Sequence, residues 1–357
     1  MRDTLREWRD QLLGRGSAAI TVPVMDGTLK PNRVLDEAGV VAELPGLDDL
    51  ASDGTHLYAS AGTALLRLQD DALTELRRFD AAITAIALSA RGRIAVALAG
   101  QRVLVLDGSG AEIARLDTLG PQRLHAANAL AFEGEDALLV SDGSLQHAPA
   151  HWCHDLMTRG RSGRVARWRM CGSGVEVLAQ GQAYAYGVLA QVDAVLHSES
   201  WRHRILRTDS RGTRPLLSEL PAYPSRMVPA AGGGFWLTCF ACRTQLVEFV
   251  LREDAYRRRM VEEIAPAYWI APALSSGRSF LEPLQGAGVK SMGVLKPWAP
   301  PRSYGLVMKV SADGHIERSL HSLVDGRHHG ITAVAEHGGA LYALSKGSGR
   351  LLKVELP

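Results

Sequence analysis

Residues 196–237 read LHSESWRHRILRTDSRGTRPLLSELPAYPSRMVPAAGGGFWL. Leu196 to Ser200 is a short run of β character, and His203 to Thr208 alternates polar and apolar side chains with the period of two expected of a half-buried strand. Asp209 to Thr213 is a Ser/Gly turn. Leu216 to Leu220 leads into a stretch bounded by Pro221 and Pro224, where the residue types favour chain reversal. Met227 and Val228 open a further strand pair, which resumes past three glycines at Phe235 to Leu237. Strand, turn, strand, loop, strand is the order in which one blade of a β-propeller hands over to the next.

The same unit recurs outward from this stretch. LDDLASDGTHLYAS (47–60), ITAIALSARGRIAVAL (83–98), ANALAFEGEDALLVSD (127–142), YAYGVLAQVDAVLHSE (184–199), SRMVPAAGGGFWLTCF (225–240) and GITAVAEHGGALYALS (330–345) each pair two apolar strands across a Gly or Asp turn. A third strand usually follows: ALLRL (64–68), RVLVL (102–106), GRVARW (163–168), HRILRT (203–208) and RLLKV (350–354). Neighbouring turns lie roughly 40 residues apart, the spacing of propeller blades. No single unit can bury both of its faces, so the six are expected to stack around a central channel as one all-β domain spanning residues 1–357.

Composition agrees with one ordinary globular domain, at 46% hydrophobic and 22% charged residues. A net charge of +2 gives no argument for nucleic acid or an anionic membrane as partner. No apolar run approaches the ~18 residues of a membrane-spanning helix. The opening MRDTLREWRDQLLGRG is charged throughout and lacks the apolar core of a secretory signal, which favours a cytoplasmic location. Within it, DTLREWRDQLL (3–13) places Leu5, Trp8, Leu12 and Leu13 at helical spacing, a short amphipathic helix packed on the side of the ring or against a second copy in a homodimer. Residues 19–35 read as an extended lead-in, with Ala19 to Val24 as the strand that closes the ring. Cys239 and Cys242 have the C-x-x-C spacing of zinc and redox motifs. Without a second ligand pair or a helix N-terminus they read as free structural thiols.

Two intervals are longer than the repeat requires. Residues 143–162, GSLQHAPAHWCHDLMTRGRS, read as a polar loop, and its His147, His151 and His154 as a polar rim rather than a metal site. Residues 241–302 form a larger insertion. RTQLVEFVLREDAYRRRMVEEI (243–264) looks like one helix whose apolar face holds Leu246, Phe249, Val250, Met260 and Ile264. Aromatics among prolines follow it. Trp269 and Trp298 are expected either to line or cap the ligand pocket beneath an ordered lid or to pin that lid onto the blades.

SES-WRHRILR followed by ELPAYPSRM and GGGFWL resembles the strictosidine synthase-like family, in which a strand pair leads to "LPGYPDNI" and then "GGFWVA". The last unit, SYGLVMKVSADGHIERSLH (303–321) with GITAVAEHGGALYALSKGSGRLLKVEL (330–356), resembles it too, so the likeness covers roughly residues 40–356. It implies a six-bladed propeller related to gluconolactonases and paraoxonases, with a helical cover over the channel mouth. One fold hosts many chemistries, so the reaction has to be argued from the site.

Metal-dependent relatives hold calcium or another divalent ion on oxygen ligands at the channel floor. By the resemblance, their acidic pair falls at Asp48 and Asp49, their first Asn at Asn128, and a second Asn at Tyr186 before Gly187. Their Asp-Asn pair falls at Ser225 and Arg226. Exchanging Asp-Asn for Ser-Arg removes an anion and adds a cation, which argues against a metal cofactor. Arg226 is instead expected to occupy the place of the ion and to pair with Asp48 or Asp49. Strictosidine synthase itself uses a glutamate, and the matching position falls near Thr332, which argues against amine–aldehyde condensation. His328 and His329, in LVDGRHHGIT, and His125, three residues before Asn128, are candidates for a general base.

The resemblance, taken with these residues, implies a metal-independent hydrolase of a small lactone or ester, with His329 or His125 assisting water and Arg226 stabilising the oxyanion. Asp48, Asp49, Asn128, Tyr186, Trp269, Trp298 and His328 are expected to contact the ligand. The rival readings are a non-catalytic small-molecule binder or sensor, and a metal-dependent lactonase of gluconolactonase type.

Overall fold

The computed structural model describes residues 9, 21–172, 174–276, 282, 290–291, 294–295 and 302–355. Six four-stranded antiparallel sheets are arranged as the blades of a propeller. Blade 1 is Leu47–Ser52, Leu57–Ala61, Ala64–Gln69 and Ala72–Arg78; blade 2 is Ile83–Leu88, Ile94–Leu98, Arg102–Leu106 and Glu112–Leu116. Blade 3 is Ala127–Glu133, Ala137–Asp142, Gly163–Arg169 and Gly174–Gln182; blade 4 is Ala185–Gln191, Ala194–Glu199, Arg204–Asp209 and Gly212–Leu217. Blade 5 is Ala222–Pro229, Phe235–Cys242, Gly305–Val310 and Ile316–Ser322. Blade 6 is Ile331–His337, Ala340–Ser345 and Arg350–Glu355, completed by Gly39–Glu43.

The first strand of each blade lines the channel. These inner strands touch one another around the ring, and the second and third strands are sandwiched between neighbouring blades. RVLVL in blade 2 is therefore buried on both faces apart from Arg102, whereas the outermost ALTELRR of blade 1 is largely exposed. Between blades 2 and 3, Val103 and Val105 pack with Leu130, Leu138 and Trp168. Between blades 1 and 6, Leu47, Leu57 and Leu66 pack with Leu344 and Leu351. Cys239 and Cys242 are free and buried inside a strand of blade 5, and burial pushes both thiols up, away from the reactive thiolate.

Several expectations need correction. The ring is closed by Gly39–Glu43, which pairs antiparallel with Arg350–Glu355, and not by residues 19–24, of which Thr21 to Val24 are irregular. The bend expected over Pro221 to Pro224 is confined to Pro221, because the inner strand of blade 5 begins at Ala222. Pro224 is tolerated there because the strand is bulged on both sides of it. Residues 143–162 contain a helix, α1 (Trp152–Met157), and the single helix expected over 243–264 is two, α2 (Gln245–Arg252) and α3 (Asp254–Glu263). The break falls at Glu253, whose ψ of 78° leaves the helical region. As a result Val247, Val250 and Met260 face inward, while Phe249 and Ile264 are 49% and 44% exposed. Apart from Arg9, the helix expected at 3–13 lies outside the described residues.

α1, α2 and α3 form one apolar cluster with Tyr223, Phe240 and Trp269 at one mouth of the channel. Thr244 caps α2 by accepting from the N–H of Val247 at 3.2 Å. Arg257 of α3 donates to the carbonyl of Met157, which ties α3 to α1. No helix among the described residues is long and apolar enough to cross a membrane.

Gly187 marks a close approach of the inner strands of blades 4 and 5. A Cβ there would lie 2.1 Å from the Ser225 carbonyl oxygen and 3.0 Å from the Cα of Arg226. Both are backbone atoms and cannot turn aside. Gly187→Ala should therefore lower stability by about 1–3 kcal/mol or more, as overpacking does. Urea unfolding reads this, and an unchanged midpoint would show that blades 4 and 5 are not locked there.

Candidate functional site

Each inner strand breaks register near its start. The breaks fall at Leu47/Leu50, Ile83/Ala85, Ala127/Ala129, Ala185/Val188, Pro224/Met227 and Ile331/Ala333. They span Asp48 and Asp49, Thr84, Asn128, Tyr186, Arg226 and Thr332. A bulge re-aims a side chain or carbonyl out of the pleat, and here six bulges aim toward one axis.

The Arg226 guanidinium lies on that axis, 5% exposed. Its Nε donates to the Asn128 carbonyl at 3.1 Å and lies 3.2 Å from Asp49 Oδ1. Nη1 donates to the Asp48 carbonyl at 2.9 Å, and to Asp48 Oδ1 and the Thr332 carbonyl at 3.3 Å each. Nη2 donates to the Thr84 carbonyl at 2.6 Å and to Asp48 Oδ1 at 3.3 Å. The Tyr186 ring covers Cζ at 5.4 Å, a cation–π contact. One side chain from blade 5 thus meets oxygens of blades 1, 2, 3 and 6 and the aromatic face of blade 4. Burial opposes its charge, but the field of Asp49, Tyr186 and Asp48 outweighs burial and raises its pKa.

The two acids differ. Asp48 Oδ2 accepts from Lys346 Nζ at 2.6 Å while Oδ1 faces Arg226. Burial acts to raise its pKa, yet Lys346 and Arg226 together hold it below the ordinary carboxylate value. Asp49 accepts from the N–H groups of Leu50 and Ile86 at 2.8 Å each. Burial pushes its carboxyl up to about 7, more than Arg226 and these N–H groups pull it down. Lys346 is 32% exposed on its side chain, and Asp48 more than offsets the effect of burial, so it remains an ammonium.

Asp48, Thr84, Asn128, Tyr184, Tyr186, Arg226, Thr332 and Lys346 enclose a cavity of about 20 Å³ with Pro149, Trp152, Phe240 and Leu274 above it. That is room for about one water molecule. A divalent ion at the axis would need the oxygens that Arg226 already engages, and would meet its positive charge. The residues present do not fit one. Among the described residues no group of three His, Cys, Asp or Glu is arranged to hold a metal.

The structure brings together Arg226, Asp48, Asp49, Asn128 and Tyr186, but not all in the expected roles. Asp49 does not line the cavity and serves Arg226. Asn128 donates to the Ala185 carbonyl at 3.1 Å. Arg226 has every donor engaged and none for an oxyanion. His329 stands away from the floor. Its Nε2 donates to the Leu323 carbonyl at 2.6 Å and its Nδ1 bonds to Ser303 Oγ at 2.7 Å, while burial lowers its pKa and so favours the neutral ring. Neither His328, buried with Nδ1 unpartnered, nor half-buried His125 lines the cavity. Trp269 is 1% exposed and donates to the Ile264 carbonyl at 2.8 Å. It pins the cover, and Trp152 is the tryptophan over the floor. Trp298 lies outside the described residues. Thr84 and Lys346 were missed. Thr84 is recoverable by laying ITAI over LDDL and ANAL, whereas Lys346 sits on a turn with no repeat signal.

The fold and channel define a closed six-bladed propeller with a cation built into its axis. No family model matches the sequence. The chain is 25% identical to strictosidine synthase-like protein 10 of Arabidopsis thaliana over 131 residues, which is 35% of this chain and 35% of that protein. It is 23% identical to the adipocyte plasma membrane-associated protein of Salmo salar, covering 94% of this chain and 82% of that one. Among solved structures it is similar to a gluconolactonase of Xanthomonas campestris, with a TM-score of 0.58 and 13% identity over 89% of each chain. A calcium-binding regucalcin of Agrobacterium tumefaciens aligns with a TM-score of 0.53 and 9% identity over 89% of this chain and 92% of that one. These likenesses match the resemblance read from residues 196–237 and the propeller fold that it implied.

Removing Arg226 leaves buried carboxylate and carbonyl groups without their donor. Arg226→Ala should lower stability by about 3–5 kcal/mol. Arg226→Lys should restore little, since an ammonium cannot reach the same oxygens with a planar fork. Denaturant midpoints equal to wild type would overturn the axial role. Asp49 offers a separate check by pH. Its folded pKa lies above the unfolded value of ~3.9, so its contribution to stability is full below that value and is lost as pH rises through about 7. The stability of wild type relative to Asp49→Asn should therefore fall as pH is raised from acid to neutral.

Proposed function

We propose that the chain is a metal-independent hydrolase of a small lactone or ester, acting over the channel floor. The observation that carries this reading is Lys346, an ammonium 2.6 Å from Asp48 Oδ2 on the wall of the cavity. One of its three N–H bonds serves Asp48, and the other two are available to a ligand. An ammonium so placed can hold a carbonyl oxygen as it gains negative charge in acyl transfer. Asp48 is the carboxylate at the floor and orients the attacking water. Tyr186, Trp152 and Phe240 offer aromatic surface for the body of a small metabolite. Entry of a substrate requires Leu274 and Trp152 to move off the floor, which suits a separate cover held by apolar packing.

A specific observation favours the second reading, a non-catalytic binder. Both oxygens of Asp48 are paired with cations, which weakens it as a base, and no described histidine lines the cavity. A panel of aliphatic lactones and aryl esters separates the two. The hydrolase reading expects turnover that EDTA does not reduce, and Lys346→Met should lower kcat/KM by ~10²–10³, the effect of losing one oxyanion donor. Saturable binding without turnover would favour the binder. Activity abolished by EDTA and restored by calcium would overturn metal independence.

A further inference from the structure

A second cavity, of about 250 Å³, adjoins the same cover segment. Leu274 lines the channel floor, while the next two residues, Ser275 and Ser276, line this second space. Its charged wall is Arg327, Arg350 and Glu43, and Ser348 adds a hydroxyl. Arg350 Nε donates to Glu43 at 3.1 Å. Arg327 is exposed and has no hydrogen bond or ion pair among the described residues. His329 also lines the cavity, but both its ring nitrogens are engaged and burial disfavours its charged form. Two guanidinium groups against one carboxylate leave the wall with a net positive charge.

The turn that carries Arg327 is firmly held. The Gly326 N–H donates to the Leu323 carbonyl at 2.8 Å. A Cβ on Gly326 would lie 2.2 Å from Asp36 Oδ1 and 2.5 Å from Ser322 Oγ, so the turn is packed onto that pair. Asp36 in turn accepts from Ser322 Oγ at 2.5 Å and from the Leu323 N–H at 3.0 Å. A guanidinium is thus presented from a rigid base, beside a second one and three hydroxyls, around a space far larger than the channel floor. Such a donor set matches phosphate or carboxylate, whose oxygens accept from an Arg fork. The volume suits a small metabolite rather than a bulky one.

We propose that this cavity is a second ligand site, which binds a small metabolite through an oxyanion held by Arg327 and Arg350. The site is distinct from the channel floor and does not depend on the reaction proposed there. The full chain is titrated with inorganic phosphate and, separately, with malonate at constant ionic strength, followed by isothermal calorimetry and thermal melting. At least one anion should bind saturably at millimolar concentration and raise the melting temperature, and the two arms tell phosphate from carboxylate. Arg327→Gln should weaken binding by about tenfold or more, the loss of one charge-assisted hydrogen bond. It should leave the melting temperature without anion unchanged, because Arg327 is exposed. Lys346→Met, at the channel floor, should bind the anion like wild type. Absence of saturable binding by both anions, unchanged affinity in Arg327→Gln, or loss of binding in Lys346→Met would each overturn the proposal.

Discussion

Every blade of this propeller meets at one guanidinium. Six inner strands run into a common axis and turn carbonyl and carboxylate oxygens toward it. Such a convergence of negative ends is unfavourable unless a positive group answers it. Arg226 answers with five N–H bonds in one plane, directed at Asp48, Thr84, Asn128 and Thr332. Asp49 and the Tyr186 ring close the remaining approaches. The interaction that assembles the ring is therefore also the one that sets the electrostatics of the channel. It has a chemical consequence, because a guanidinium with all its donors engaged is a structural cation. The reactive possibilities shift off the axis, to the Lys346 ammonium and its partner Asp48.

The bulges explain how regular strands deliver irregular oxygens. A flat ladder would keep each carbonyl in the sheet. One extra residue at the start of each inner strand frees it to turn inward. The same device accounts for Pro224 inside a strand and for Gly187, where a side chain would strike the next blade. Likenesses of 9% and 13% identity to solved propellers show that this frame tolerates nearly complete replacement of its residues. A frame so tolerant leaves function to the few side chains at the axis and to the cover above it.

The cover is a second layer with its own packing. Val247, Val250, Met260 and Trp269 bury against Tyr223 and Phe240, while Arg243 and Glu248 form a buried pair at 3.0 Å. Leu274 then reaches the floor, and its carbonyl is seated where a Cβ on Gly347 would come within 1.9 Å. The segment that roofs one cavity walls the other. Residues 274–276 thus border both spaces.

Much of this was legible in the sequence. Two strands of every blade, and the third in five of them, are buried between neighbours and read as apolar runs, so the six units could be counted; residues 303–321, read with the last unit, supply the outer strands of blade 5. The fourth strand faces solvent, carries little pattern, and in blade 6 comes from residues 39–43, which no repeat announces. Asp48, Asp49, Asn128, Tyr186 and Arg226 could be placed because the family resemblance aligns them with positions at the channel floor of its metal-dependent relatives. That Arg226 pairs with acids followed from its charge. That it also takes carbonyls from four other blades did not, because backbone oxygens have no signature in the sequence. The roles of His329 and Trp269 stayed open for a related reason. Residue type marks a histidine as able to titrate and a tryptophan as able to cap a pocket, but only packing decides whether the ring nitrogens are already bonded. Lys346 reaches the channel from a turn and Trp152 from a short helix, through contacts between residues far apart in the chain. The sequence by itself determined the number of blades, since periodicity is a local property, and its family resemblance placed a cation at their centre. Which side chains line the channel cavity was decided by the closing of the ring, which brings distant turns together over one small space.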